Sequence, residues 1–165
     1  MANCCGFDMK VIGEPAKVDE FVELVVGKGT PFRIYSADLI LAEERNGLKE
    51  VLIAGDCAWS VLTSMRYERT PSLESESKRL GIGISVLSEE CGFEFQEHFV
   101  VVNGEVIKDE CKDWCRYDLE CYESLDELNE LNGTNLVEND FNEEGYCERG
   151  GVVWEHPEME PMLKA

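Results

Sequence analysis

GIGISVLSEECGFEFQEHFVVVNGEVIKDE, residues 81–110, carries the plan of the chain. Asn103-Gly104 sits between two apolar runs. Both residues tolerate the positive φ of a type I′ turn, so the pair predicts a hairpin. On the arm before it, Phe93, Phe95, Phe99 and Val101 share one parity; Glu94, Gln96 and His98 take the other, joined by Val100 and Val102. Alternation that ends apolar on both faces predicts an arm running from a sheet edge into its centre. Residues 82–87, rich in β-branched side chains, are the expected neighbour. This three-strand block is expected to anchor the core.

Upstream, residues 4–12 read as a first strand. Gly13-Glu14-Pro15 turns it, and Pro15 suits a first helical position, where the missing N–H costs nothing. Val18, Phe21, Val22, Val25 and Val26 follow the spacing of one buried helix face, ended by Gly27 and Gly29. Residues 32–35 predict a second strand. Residues 37–44, ADLILAEE, fit either its continuation or a helical turn. Asn46-Gly47 predicts another hairpin turn and residues 50–54 a third strand. Gly55-Asp56-Cys57 is expected to break that strand, with Asp56 capping a helix from Ala58 whose buried side is Trp59, Val61, Leu62 and Met65. Thr70 and Pro71 are expected as cap and first residue of a further helix, which carries Leu73 and Leu80 and stops at Gly81. The expected fold class is therefore α+β: a ferredoxin-like βαββαβ antiparallel sheet with helices on one face, plus an extra hairpin and an acidic C-terminal extension.

The chain has 165 residues and 44% hydrophobic content, enough for one domain with a real core. The expected division is a ferredoxin-like core with hairpin over residues 1–110 and an acidic extension over 111–165, packed on or beside it. The formal charge of −20 argues against direct binding of nucleic acid or of anionic membranes, and favours a basic partner. From residue 116 onward, 14 acidic residues stand against only Arg116, Arg149 and Lys164. Within that part, Ser124-Leu125-Asp126-Glu127 is a capping box that predicts a helix up to Asn132-Gly133. Residues 151–154 read as a final strand and 156–165 as a frayed end. No apolar run approaches the ~20 residues of a membrane span. The opening MANCCGFDMK lacks the pattern of a signal peptide, so the eight cysteines read as mostly reduced thiols in a cytoplasmic protein.

Cys111, Cys115 and Cys121, with His98 or Cys147 as a fourth ligand, are candidates for zinc, because thiolates and imidazole suit a tetrahedral site. No CxxC knuckle supports them, and small buried hydrophobes are the plainer reading. A hydrolase dyad would pair His98 with Cys57 or Cys91, but His98 is expected on the partly solvated face of its strand. Glu89, Glu90, Glu94 and Glu97 flank the hairpin arm; with 35 acidic residues, chance pairing is the ordinary state. Asp56, Asp109, Glu110 and Asp113 lack EF-hand spacing. Gly81-Ile82-Gly83 follows a helix and opens a strand, the reverse of a dinucleotide-binding turn. No catalytic residue or cofactor is expected. Carboxylates on a compact domain can imitate a phosphate backbone, or simply keep the chain in solution. Glu138, Asp140, Glu143 and Glu144, with Phe141, Tyr146 and Trp154 as aromatic anchors, are the expected partner-binding residues.

Met1-Ala2-Asn3 running into a strand, Gly55-Asp56-Cys57-Ala58-Trp59-Ser60, and Phe93-Glu94-Phe95-Gln96-Glu97-His98 resemble the YubB ferredoxin-like proteins of phages, plasmids and integrated elements. The resemblance covers residues 1–108. It implies a ferredoxin-like domain of mobile-element origin and carries over no activity. The expectation for function is thus a non-enzymatic acidic protein acting on a basic, nucleic-acid-binding partner, such as a host nuclease or other defence protein. A homodimer through an exposed sheet edge is a further expectation.

Overall fold

Alternation along the first strand sets the two faces of the sheet. The computed structural model describes residues 3–67, 70–90, 92–150 and 153–164. Strand β1 (Cys4–Gly13) buries Cys5, Phe7, Met9 and Val11 in the main core. Period 2 turns Gly6, Asp8, Lys10 and Ile12 to the opposite, second face. Pro15 then opens helix α1 (Pro15–Val26), which buries Val18, Phe21 and Val25. Strands β2 (Ile34–Arg45) and β3 (Leu48–Ala58) form a hairpin, with Asn46 at φ 56° and Gly47 at φ 78°. A single tight turn (Leu62–Arg66) and helix α2 (Leu73–Leu80) lead to β4 (Gly83–Glu90). The hairpin of β5 (Phe95–Val102) and β6 (Glu105–Asp118) turns at Asn103 and Gly104, φ 52° and 84°. Helix α3 (Leu125–Asn132), β7 (Tyr146–Gly150) and helix α4 (Glu160–Leu163) complete the order.

The strands pair in the order β2-β3-β1-β4-β5-β6-β7, every pair antiparallel. This overturns the expected ferredoxin-like βαββαβ fold with helices on one face: the protein is mostly sheet, a seven-stranded antiparallel half-barrel with few helices. Two local readings account for much of the difference. Gly55-Asp56-Cys57 does not break β3, which runs through to Ala58. Glycine is needed at position 55 because β2 passes so close: a Cβ there would stand 2.9 Å from Ala37 Cα and from the Phe7 ring. Asp56 therefore caps nothing and bonds Ser36 Oγ at 3.0 Å. The helix expected from Ala58 shrinks to the one turn, leaving Trp59 and Leu62 exposed while Val61 and Met65 are buried. Its first N–H groups, Val61 and Leu62, are held by the Glu97 carboxylate at 2.9 and 3.4 Å. The second departure lies downstream. The hairpin runs on past the two helical units expected to close the sheet: β6 has 14 residues and, with β7, extends the same sheet. The boundary expected at residue 110 falls inside β6.

Smaller expectations resolve as follows. Residues 37–44 continue strand β2 and make no helical turn. Ser72, not Thr70, caps α2, its hydroxyl accepting from Ser75 N–H at 3.2 Å. Ser124 caps α3, but Glu127 reaches Glu123 N–H at 2.6 Å instead of closing the box on Ser124. Phe93 lies before β5 and is exposed. Of the final strand expected at 151–154, residues 151 and 152 lie outside the described residues, and 153–154 are not in a strand.

The expected frayed end is instead docked. Residues 153–164 cross the second face, and Met159, 1% exposed, packs with Ile12, Val100 and Val102. A separate small core of Leu128, Leu136 and Cys147 sits under α3. Among the described residues no helix is long and apolar enough to cross a membrane. Met159→Ala should lower the unfolding free energy by about 2–4 kcal/mol in urea titration. A change within about 0.5 kcal/mol, typical of surface positions, would mean that the tail is undocked in solution.

Candidate functional site: an acidic trough on the second face

The tail covers only part of the second face. The rest forms an open trough of about 750 Å³. Register places its walls. Gly6 stands opposite Asp56 on β3 and Glu89 on β4, and Asp8 stands opposite Ala54 and Leu87. Asp38 follows on β2 opposite Ala54, and Glu148 on β7 opposite Arg116. Asp8, Asp38, Asp56, Glu89 and Glu148 thus come one from each of five strands; a sixth lining carboxylate, Glu97 of β5, is taken up by Val61 N–H, Leu62 N–H and Ser88 Oγ, and no Lys or Arg is among the lining residues. Trp114, 3% exposed, and the half-buried Trp154 supply aromatic surface.

Among these carboxylates Glu89 is the one held in an unfavourable setting. Partial burial, with the Glu148 and Asp8 carboxylates nearby, holds the Glu89 carboxyl above its ordinary value against the Arg116 guanidinium. Cations of the second face stand on β6. The Arg116 guanidinium lies 3.7 Å over the Tyr146 ring, and Lys112 pairs opposite Gln96. Trp154 rests on His98, ring centroids 5.4 Å apart, with Lys108 Nζ 5.7 Å from the Trp154 ring. Farther along the tail, His156 Nδ1 meets Ser85 Oγ at 2.8 Å.

His98 is buried, against the expectation of a partly solvated ring, and neither ring nitrogen has a hydrogen-bond partner among the described residues. Burial chiefly, then Lys108 and His156, pushes its pKa down to about 4. Burial and Lys10 push His156 down to about 4 as well.

The structure does not bring the zinc candidates together. His98 faces the second side of the sheet, while Cys111, opposite Glu97 on β6, has the other parity. Cys111 and Cys115 are both on strand β6, where four residues separate them by ~13 Å. Cys121 is exposed in the turn Leu119–Cys121, and Cys147 is buried in the small core. Among the described residues no three His, Cys, Asp or Glu side chains could hold a metal ion. Cys57 lies on the core face beside its cross-strand partner Cys5, whose thiol contact, together with burial, raises the Cys57 pKa, and it is remote in face from His98. Cys91 lies outside the described residues.

The expected partner-binding residues divide. Trp154 lines the trough. Phe141 packs against the small core and Tyr146 under Arg116, so neither is a free anchor. Glu138, Glu143 and Glu144 are exposed on the loops around β7, and Asp140 accepts Val137 N–H at 2.8 Å. The sequence does not group Asp8, Asp38, Asp56 and Glu89: Asp56 enters there as a cap and beside Asp109, Glu110 and Asp113, and Glu89 beside its acidic neighbours, while their shared signal is a carboxylate at the polar parity of four separate strands.

No family model, curated protein or solved structure matches the chain.

Two titrations follow. Glu148→Gln should bring the Glu89 pKa down toward its ordinary value in a carboxyl NMR titration; an unmoved Glu89 would separate the two side chains. For the histidines, folded pKa values of about 4 lie below the ordinary 6.5, so the unfolded chain protonates first. Their stabilisation is complete above pH 6.5 and is lost as pH falls toward 4. Each ring adds a slope of at most ~1.4 kcal/mol per pH unit. His98→Phe should remove its share of that slope in urea unfolding; an unchanged slope would place His98 in solvent.

Proposed function

We propose that the chain is a non-enzymatic acidic interaction protein of the cytoplasm whose partner is a basic protein. What supports the reading is the convergence of one carboxylate from each of five strands on a trough with two tryptophans and no lining cation. At Glu89 the Glu148 and Asp8 carboxylates add to the burial that already disfavours the ionised form, a cost that charge placed only for solubility would avoid. An entering Lys or Arg relieves that repulsion and gains a ring to stack on, and guanidinium fits both carboxylate and indole best. Exposed ion pairs contribute only ~0.2–1 kcal/mol each, so useful affinity needs several at once, as on a basic nucleic-acid-binding surface. Carboxylates that occupy such a surface exclude its nucleic acid, which is the mimic reading. The resemblance to the YubB proteins extends the proposal to a mobile-element origin and a host defence protein as target.

Capture from cell lysate at low and at high salt tests this. The expected result is a basic protein retained at low salt and released at high salt, as screening requires. Asp8→Asn, Glu89→Gln and Glu148→Gln combined should lose it. Capture that ignores both salt and these substitutions would remove the electrostatic basis.

A further inference from the structure

Strand β2 is an edge, and an unusually open one. Among the described residues it pairs only with β3, and 10 of its 12 residues are exposed. Natural sheets blunt such edges with short strands, lysine or proline. The β2 sequence IYSADLILAEER has neither residue type and ends in a single Arg. Its blunting devices are an irregular register, with shifts at Tyr35 and Ile40, and mostly acidic charge at Asp38, Glu43 and Glu44, which repels another acidic edge but not a basic one.

The two faces of β2 differ in chemistry. Ala37, Leu39 and Ala42 stand opposite Gly55, Ile53 and Val51, on the core face. Ser36, Asp38, Leu41 and Glu43 stand opposite Asp56, Ala54, Leu52 and Glu50, on the second face. Ser36, Asp38 and Ile40 also line the acidic trough, which therefore opens at this edge.

Building on the basic-partner reading, we propose that β2 receives an extended segment of that partner as an eighth strand, with alternate Lys or Arg side chains over the trough and apolar ones beside Leu39 and Ala42. Main-chain bonds to the free edge give the affinity, and the period-2 pattern gives the selectivity. A second copy of the chain fits less well. It would set Asp38, Glu43 and Glu44 of each β2 into a pair whose chains each carry a formal charge of −20.

The test uses a short synthetic peptide alternating lysine with valine, and two versions N-methylated at all lysines or at all valines. In a paired strand, residues of one parity aim their N–H groups at the neighbour and the others aim away. One methylated version should therefore bind at least about tenfold more weakly than the parent, from two or three lost hydrogen bonds, while the other keeps its affinity. Hydrogen exchange along Ile34–Arg45 should slow when the parent peptide binds. Salt-sensitive binding with equal affinity for all three peptides and unchanged exchange on β2 would overturn strand addition and leave the basic-partner reading intact. If the parent peptide does not bind at low salt, both fail. A free protein that is already dimeric, with β2 protected, would assign the edge to a second copy and overturn the proposal.

Discussion

The register of β1 between its two neighbours governs everything else in the molecule. Met9 pairs with Ile53 on one side and with Val86 on the other, and all three side chains are buried. A slip of one residue would exchange the faces, turning Asp8 and Lys10 into the main core and Phe7, Met9 and Val11 out to water. Burying such charges without partners costs several kcal/mol each, and the exposed apolar side chains forfeit ~1.5–3 kcal/mol apiece. The alternation of the strand thus allows one arrangement by a wide margin. That arrangement fixes where the trough carboxylates point, so the acidic face is a by-product of core packing as much as a surface feature.

Features that depend on a few adjacent residues were legible in the sequence. Asn46-Gly47 and Asn103-Gly104 turn the chain because both pairs can take positive φ, and α1 follows its apolar spacing and its Pro15. What failed was set by distant neighbours. Gly55 reads as a breaker until the approach of β2 is known, and then it reads as the residue that permits that approach. His98 sits at a polar parity, yet it is buried because Trp154, 56 positions later, closes over it. The fold class failed for a related reason. Nothing in residues 105–118 announces that the strand continues a sheet already five strands wide, since an exposed polar β-strand has no local signature of its neighbours.

The trough was illegible in the same way. Asp8 looks like an ordinary outward-facing residue of an amphipathic strand, Asp38 falls in an ambiguous run, Asp56 reads as a helix cap and Glu89 as one of many chance carboxylates. Only strand order and register bring them to one place. The downstream carboxylates Glu138, Glu143 and Glu144 drew notice because they are dense in sequence, a different property from being close in space. Aromatic residues misled similarly: Phe141 and Tyr146 stand isolated in the sequence but are occupied by the small core and by Arg116.

The tail divides the second face by charge as well as by area. It draws two lysines of that face into its own half: Lys10 pairs with Glu50 at 3.1 Å near His156, and Lys108 lies by the Trp154 ring. The open half is left with carboxylates on five strands. Such a concentration opposes folding, so something elsewhere must offset it. Arg66 contributes directly: its guanidinium lies 3.6 Å over the Phe99 ring and takes Glu74 and, in two bonds, Asp109. A cation held among two carboxylates and a buried ring joins the one-turn helix, α2, β5 and β6 on the core side of the sheet. Arg66 thereby serves cohesion on the core side, while no lysine or arginine stands among the residues that line the trough on the second side. A sheet held together from one face can leave the other with an electrostatic deficit for a basic partner to fill.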